Sequence, residues 1–205
     1  HSRSDHYDQD PMGHKHSKAE ILHGALAAAF DEGLSQITFG RVAKRLGISD
    51  RIVVYYFPTK DDLIGEVLFA MGAELQATLA PTFSVAVADH LELLRTAWPM
   101  LARPEADPVF ALFFEAGGLA AIGREPFSTL VPQLVDAWIE WAAGFIRGPR
   151  ARRRAEAEAA IALLDGLLLL RQLAGPEAAD RAAKRFGVAA VAQRKPGGRH
   201  DERSG

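Results

Sequence analysis

The strongest constraint on this chain lies between residues 38 and 60. Two short apolar-periodic stretches are separated there by Gly47-Ile48-Ser49 and closed by Phe57-Pro58. Thr38 is placed to cap a helix carrying Val42, Ala43 and Leu46, and Gly47 ends it, because glycine accepts the left-handed backbone of a helix stop. Ser49 is placed to cap a second helix. That helix must finish by Phe57, since proline disfavours helical geometry in the residue before it. Two short helices joined by such a turn form a helix-turn-helix, in which the second helix can enter a DNA major groove.

Similar punctuation continues on both sides. Ser17-Lys18-Ala19-Glu20 reads as a capping box, in which the serine hydroxyl and the glutamate carboxylate each take up a free backbone N–H. Leu22, Ala25, Leu26, Ala29 and Phe30 follow at helical spacing, and Gly33 reads as a left-handed stop. Thr59-Lys60-Asp61-Asp62 opens a further helix bearing Leu63, Ile64, Val67, Leu68 and Met71. Beyond Pro81 the pattern predicts helices over about 83–102, 107–122, 128–147, 150–174 and 176–194. Asp107-Pro108, Gly148-Pro149 and Gly175-Pro176 mark their boundaries. Sustained period-two alternation is absent. The expected fold is all-α: an N-terminal three-helix helix-turn-helix domain over 17–62 and a C-terminal helical domain over 63–194. Residues 1–16 read as a disordered tag segment, with Met12 as a natural start, and 195–205 as a disordered tail.

Charge and composition narrow the chemistry. The 205-residue chain carries a formal net charge of −2, so any affinity for nucleic acid must come from a local patch. Between Thr38 and Lys60, Arg41, Lys44, Arg45, Arg51 and Lys60 oppose only Asp50, which leaves the remainder net acidic. There is no cysteine, hence no disulfide framework and no thiolate chemistry. The most apolar stretch, Ala159 to Leu170, is broken by Asp165 and Gly166 and falls short of the roughly 20 residues that span a bilayer. No membrane association is expected, and the absence of a secretory signal points to the cytoplasm. His1, His6, His14, His16 and His23 match no zinc spacing. No nucleophile–base pair or glycine-rich phosphate loop is present, and His90 and Asp165 stand isolated, so neither enzyme activity nor a cofactor or metal is expected.

The run Val42-Ala43, Leu46-Gly47-Ile48-Ser49, Tyr55-Tyr56-Phe57-Pro58-Thr59-Lys60-Asp61-Asp62-Leu63 resembles the DNA-binding signature of the TetR family of transcriptional regulators. The resemblance covers roughly residues 18–68. It implies an all-helical homodimer that binds a double-stranded, palindromic DNA operator and is released, as a repressor, by a small-molecule effector. On that resemblance Tyr55, Tyr56 and Lys60 hold the DNA backbone, where hydroxyl and ammonium groups donate to phosphate oxygens and fix register. Ser49, Asp50 and Arg51 open the recognition helix. Arg51 suits guanine bidentately, and Asp50 suits the cytosine amino group. Thr38, Arg41 and Lys44 are expected at phosphates beside the preceding helix. Phe39, Gly40, Arg51 and Val54 depart from the residues usual at their positions. Ile48, Val53 and Phe57 read as core; packing is the lesser alternative for one of the two tyrosines, and a solvated position the alternative for Arg45. The basic run Arg147, Arg150, Arg152, Arg153, Arg154 precedes Glu156 and Glu158 and reads as a solvated connection.

The C-terminal region is rich in large apolar groups, the composition of a small-molecule cavity. Trp98, Phe110, Phe113, Phe114, Trp138 and Trp141, with Glu115 as a polar anchor beside His90 and Glu140, form the expected site for a mostly hydrophobic effector; a plain helical core is the competing reading. Ile161, Leu164, Leu168, Ala183 and Phe186, on the last two long helices, are the expected dimer contacts. A helical pair packed inside one chain is the alternative there. An interaction module whose helix-turn-helix no longer binds DNA is the second functional reading. It draws on Phe39, Gly40 and Val54.

Overall fold

The computed structural model describes residues 16–188. The expected tag apart from His16, the expected tail, and residues 189–194 of the expected last helix lie outside the described residues. Nine helices form among the described residues, with short 3₁₀ turns between some of them. They are α1 (Lys18–Glu32), α2 (Phe39–Leu46), α3 (Asp50–Tyr56), α4 (Lys60–Leu79), α5 (His90–Leu101), α6 (Asp107–Ala121), α7 (Phe127–Ala143), α8 (Arg150–Ala174) and α9 (Pro176–Arg185). Extended pairing among these residues is limited to one isolated bridge between Val87 and Ile146. The fold is all-α, as the helical periodicity predicts.

Local chemistry explains the helix starts. Ser17 accepts from the Glu20 amide while the Glu20 carboxylate accepts from the Ser17 amide, a complete capping box. Thr38 caps α2 through the Arg41 amide at 3.2 Å. Thr59 and Asp62 cap α4 reciprocally, each amide donating to the other side chain at 3.0 Å. Ser49 stands at the N-cap of α3, but its hydroxyl accepts no capping hydrogen bond there. Gly47 ends α2 in the left-handed region, at φ 66 and ψ 32. Gly33 differs from the expected left-handed stop: φ is 92 but ψ is 157, an extended positive-φ backbone essentially reserved for glycine. The helix expected from residue 83 begins only at His90, because the Asp89 side chain caps it through the Glu92 amide. Asp107 makes no cap for α6, as its carboxylate is held by Arg171 of α8 at 2.6 and 2.9 Å.

Two compact units form. The first comprises residues up to Thr78 with Pro108–Ala137, and the second Leu79–Asp107 with residues from Trp138 onward. In the first unit, Ile21, Ala25, Leu34, Ile37, Val42, Val53, Phe57, Leu63, Ile64, Val67 and Leu68 form one buried core with Leu112, Ala116, Phe127 and Val131. The expected division after residue 62 therefore falls inside α4, whose apolar side is part of this core. α4 is long and apolar enough by composition to cross a membrane, yet its Leu63, Ile64, Val67 and Leu68 are buried here as a core stripe. In the second unit α8 packs against α5 and α9. Leu93, Leu94, Trp98, Leu164, Leu167, Leu168, Ala179 and Ala183 are buried.

Candidate nucleic-acid interface

The inward side of α3 is fixed by the core. Val53 and Phe57 are fully buried, and Ile52 and Tyr56 are half-buried. Helical geometry then turns Asp50, Arg51, Val54 and Tyr55 outward, and all four are exposed, Tyr55 by 67% and Val54 by 41%. Pro58 ends the helix, Phe57 anchors it, and Lys60 follows at the exposed start of α4. Thr38, Arg41, Lys44 and Ser49 are also exposed. The structure thus gathers every expected DNA contact onto α2, α3 and their flanks, within one unit.

Their electrostatics are less uniform than the sequence suggests. Arg41 Nη1 donates to Glu32 at 2.7 Å and to the backbone carbonyl and side-chain oxygen of Gln36 at 3.2 Å each. Arg45 pairs with Asp31 at 2.7 Å rather than standing free in solvent. Lys18 pairs with Glu66 at 2.6 Å and lies 5.4 Å from the Phe57 ring centre. Two of the five cations between residues 38 and 60 are therefore partly neutralised by the last turn of α1. Lys44, Arg51 and Lys60 carry no ion pair among the described residues. The Tyr56 hydroxyl donates to the His16 carbonyl at 3.1 Å, and its ring meets Tyr55 edge-on at 5.0 Å. A phenol has one proton to give, so Tyr56 can donate to phosphate only by releasing His16. Of the two tyrosines, Tyr56 is the packing one and Tyr55 projects.

Sequence reasoning did not place Val54 on the exposed side of α3, though the signal was available: with Val53 and Phe57 inward, residue 54 falls beside Arg51 on the open side. An exposed valine there suits the thymine methyl group. The pairing of Asp31 and Glu32 with Arg45 and Arg41 was missed because it depends on how α1 and α2 cross.

The expected effector residues are distributed over both units. Trp98 is buried on α5. Phe110 is buried, and Phe113 and Phe114 are half-buried on α6 in the first unit, where Phe113 packs against the core of the DNA-binding module. Glu115 is committed to the turn after α1: it accepts from the Leu34 and Ser35 amides, both at 2.9 Å. Trp138 and Trp141, half-buried in the second unit, meet edge-on at 5.2 Å. Phe145 lies 4.8 Å from Trp141 and stacks on Phe83 at 4.5 Å. His90 pairs with Glu156 at 2.6 Å and Glu140 pairs with Arg154, so all three suggested polar anchors are occupied within the chain. The His90 hydrogen bond holds the Glu156 carboxyl below its ordinary value.

The expected dimer residues lie mostly on the inward sides of α8 and α9. Leu164, Leu168 and Ala183 are buried within the single chain, and Ile161 and Phe186 are half-buried. Both sides of α8 are apolar, and periodicity alone does not say which one meets α5 and α9.

A helix-turn-helix with exposed cations and an aromatic flank, carried on an all-helical scaffold, is the arrangement of a DNA-binding module. Residues 21–67 match the family model described as bacterial regulatory proteins, tetR family. Solved structures of low identity share the fold across most of the chain. A TetR transcriptional regulator from Legionella pneumophila is 20% identical, with TM-score 0.60 over 85% of this chain and 97% of that one. The multidrug binding protein EbrR, solved with proflavin, is 24% identical, with TM-score 0.58 over 82% and 98%. A protein from Saccharomonospora viridis, solved with choline, is 18% identical, with TM-score 0.58 over 83% and 93%. Comparison of the sequence with curated proteins gives no match. The N-terminal module is a TetR-family DNA-binding domain, and the chain has the fold of that family's transcriptional regulators.

Proposed function

We propose that this protein is a ligand-responsive repressor, working in the cytoplasm, that binds a palindromic operator as a homodimer. The observation that carries the reading is the polarity of α3: one side is sealed into the core by Val53 and Phe57, and the other presents Asp50, Arg51, Val54 and Tyr55 to solvent. Arg51 and Asp50 offer hydrogen bonds to base edges, and Val54 offers contact to thymine methyl groups. On this reading Tyr55, Lys44, Lys60 and Thr38 meet the phosphates that flank the groove, with Arg41 available once it leaves Glu32, while Ser49 opens the recognition helix beside Asp50 and Arg51.

Dimerisation is supported by the outward side of α8. Ala155, Ala159, Ala162, Gly166, Leu169 and Leu173 recur at alternating spacings of four and three, the seam of a helix that packs against a partner helix. Leu173 is 78% exposed and Leu169 40% exposed. The effector reading rests on the aromatic group of Phe83, Trp138, Trp141 and Phe145, which offers faces for a flat or hydrophobic molecule. Two proteins of the same fold were solved with small molecules, proflavin and choline.

The test is selection of duplexes from a random-sequence pool on immobilised protein, followed by mobility-shift titration across salt. Enrichment of an inverted repeat and affinity falling steeply with salt are expected. A flat salt response, or no enriched duplex, contradicts the proposal and favours an interaction module that has lost DNA binding.

A further inference from the structure

The turn between α1 and α2 is unusual in having its cap supplied from far along the chain. Gly33 occupies the N-cap of the 3₁₀ turn Leu34–Gln36 and has no side chain with which to cap it. The next two amides, of Leu34 and Ser35, each donate to one oxygen of the Glu115 carboxylate at 2.9 Å, across 81 and 80 residues. Glu115 lies mid-way along α6, half-buried, with no ion pair among the described residues. A carboxylate held by two amides at the start of a helical turn is a charge-assisted contact, stronger than its neutral equivalent and directional. Gly33 is favoured by its backbone and by the closeness of the carboxylate. Its backbone conformation is one that other residues rarely adopt, and a Cβ there would stand 3.1 Å from Glu115 Oε2.

The contact is continuous with the DNA-binding machinery. Leu34 is buried in the same core as Leu112 and Ala116, which flank Glu115 on α6. Gln36, the last residue of the turn, holds Arg41 through both its carbonyl and its side chain, and Thr38 caps α2 two residues later. Building on the DNA-binding reading above, we propose that Glu115 is a positioning residue for DNA binding: it ties the first joint of the helix-turn-helix to α6, so that the placement of α2 and the position of α6 are coupled. A shift of α6 by about 1 Å takes both hydrogen bonds beyond bonding distance, which makes the latch closed or open rather than gradual. By linkage, DNA binding must in turn steady α6.

Amide hydrogen exchange by NMR on wild type and Glu115→Gln tests this, with each protein free and bound to a duplex selected on the wild type. Glutamine keeps the size but replaces one acceptor oxygen with a donor. In the free variant, Leu34 and Ser35 should exchange roughly tenfold faster, with α5 amides unchanged as the control for intact folding. The duplex should slow α6 exchange in the wild type and not in the variant. Wild type alone gives a second measurement: Leu34, Ser35 and the α6 amides should slow together on DNA binding. Unchanged rates at Leu34 and Ser35 in the variant, equal slowing of α6 in both proteins, or wild-type α6 indifferent to DNA would each overturn the latch. Failure to select any duplex would instead overturn the DNA-binding reading on which it rests.

Discussion

At the scale of single residues, Arg51 and Val54 divide the outward side of α3 between a polar and an apolar side chain, the two that the proposed function turns toward base edges. Arg51→Ala should weaken binding to the selected duplex by about 1–3 kcal/mol and relax the preference at one base pair. Titration against single-base variants checks this, and uniform weakening across them would assign Arg51 to phosphate instead. Lys60→Ala should weaken all duplexes alike and reduce the slope of log affinity against log salt by about one. A separate residue adds a pH response of its own. Burial pushes the Asp165 carboxyl up from 3.8 to about 6. A group bound to its proton more tightly when folded adds stability that is complete below 3.8 and lost as pH rises through about 6. Asp165→Asn should flatten this dependence and raise neutral-pH stability by about 1–2 kcal/mol, a value reduced for the carboxyl's partial contact with water. Thermal melts on either side of the window check it, and a variant no more stable at neutral pH would contradict it. The caps at Ser17, Thr38 and Thr59 were legible in the sequence because each partner lies three residues away. The partners of Glu115 and Asp107 were not, since only the tertiary fold brings Leu34 to the one and Arg171 to the other.

At the scale of elements, α3 was readable almost to the residue. Gly47 and Pro58 bound it, and a short helix leaves its single apolar side no choice of neighbour. α8 is the opposite case, with 25 residues and apolar positions around most of its circumference. The buried side takes Leu164, Leu167 and Leu168, which leaves Leu169 and Leu173 to the open seam. Leu173→Glu should therefore abolish self-association without unfolding the chain, as sedimentation and circular dichroism would show; a dimer that survives a charge in the seam would place the interface elsewhere. α6 is held near its start by the fork from Arg171, itself only 4% exposed, to Asp107. Asp107→Ala strands that guanidinium and should cost about 3 kcal/mol, with Arg171→Met in the same chain recovering most of it, measured by denaturant midpoints. Recovery by the double variant separates an unpaired charge from a lost packing contact.

At the scale of the whole molecule, the short punctuated helices made the all-α class and the DNA-binding module legible, and the match of residues 21–67 to the TetR-family model agrees with that reading. The division into units was not legible. Continuous helices cross it, and the apolar side of α4 does not announce that it completes the core of the DNA-binding module. Nor did the sequence show which aromatic rings meet, because aromatic composition carries no information on pairing. The account predicts that two copies present α3 to successive major grooves, about 34–36 Å apart along the duplex or a multiple of that spacing. The most direct test is the stoichiometry of the complex with the selected duplex, by sedimentation, alongside the symmetry of the selected sequence. Two chains per duplex on an inverted repeat, with binding lost in Leu173→Glu, is the predicted result. One chain bound to an asymmetric site, with Leu173→Glu binding as tightly as the wild type, would contradict it.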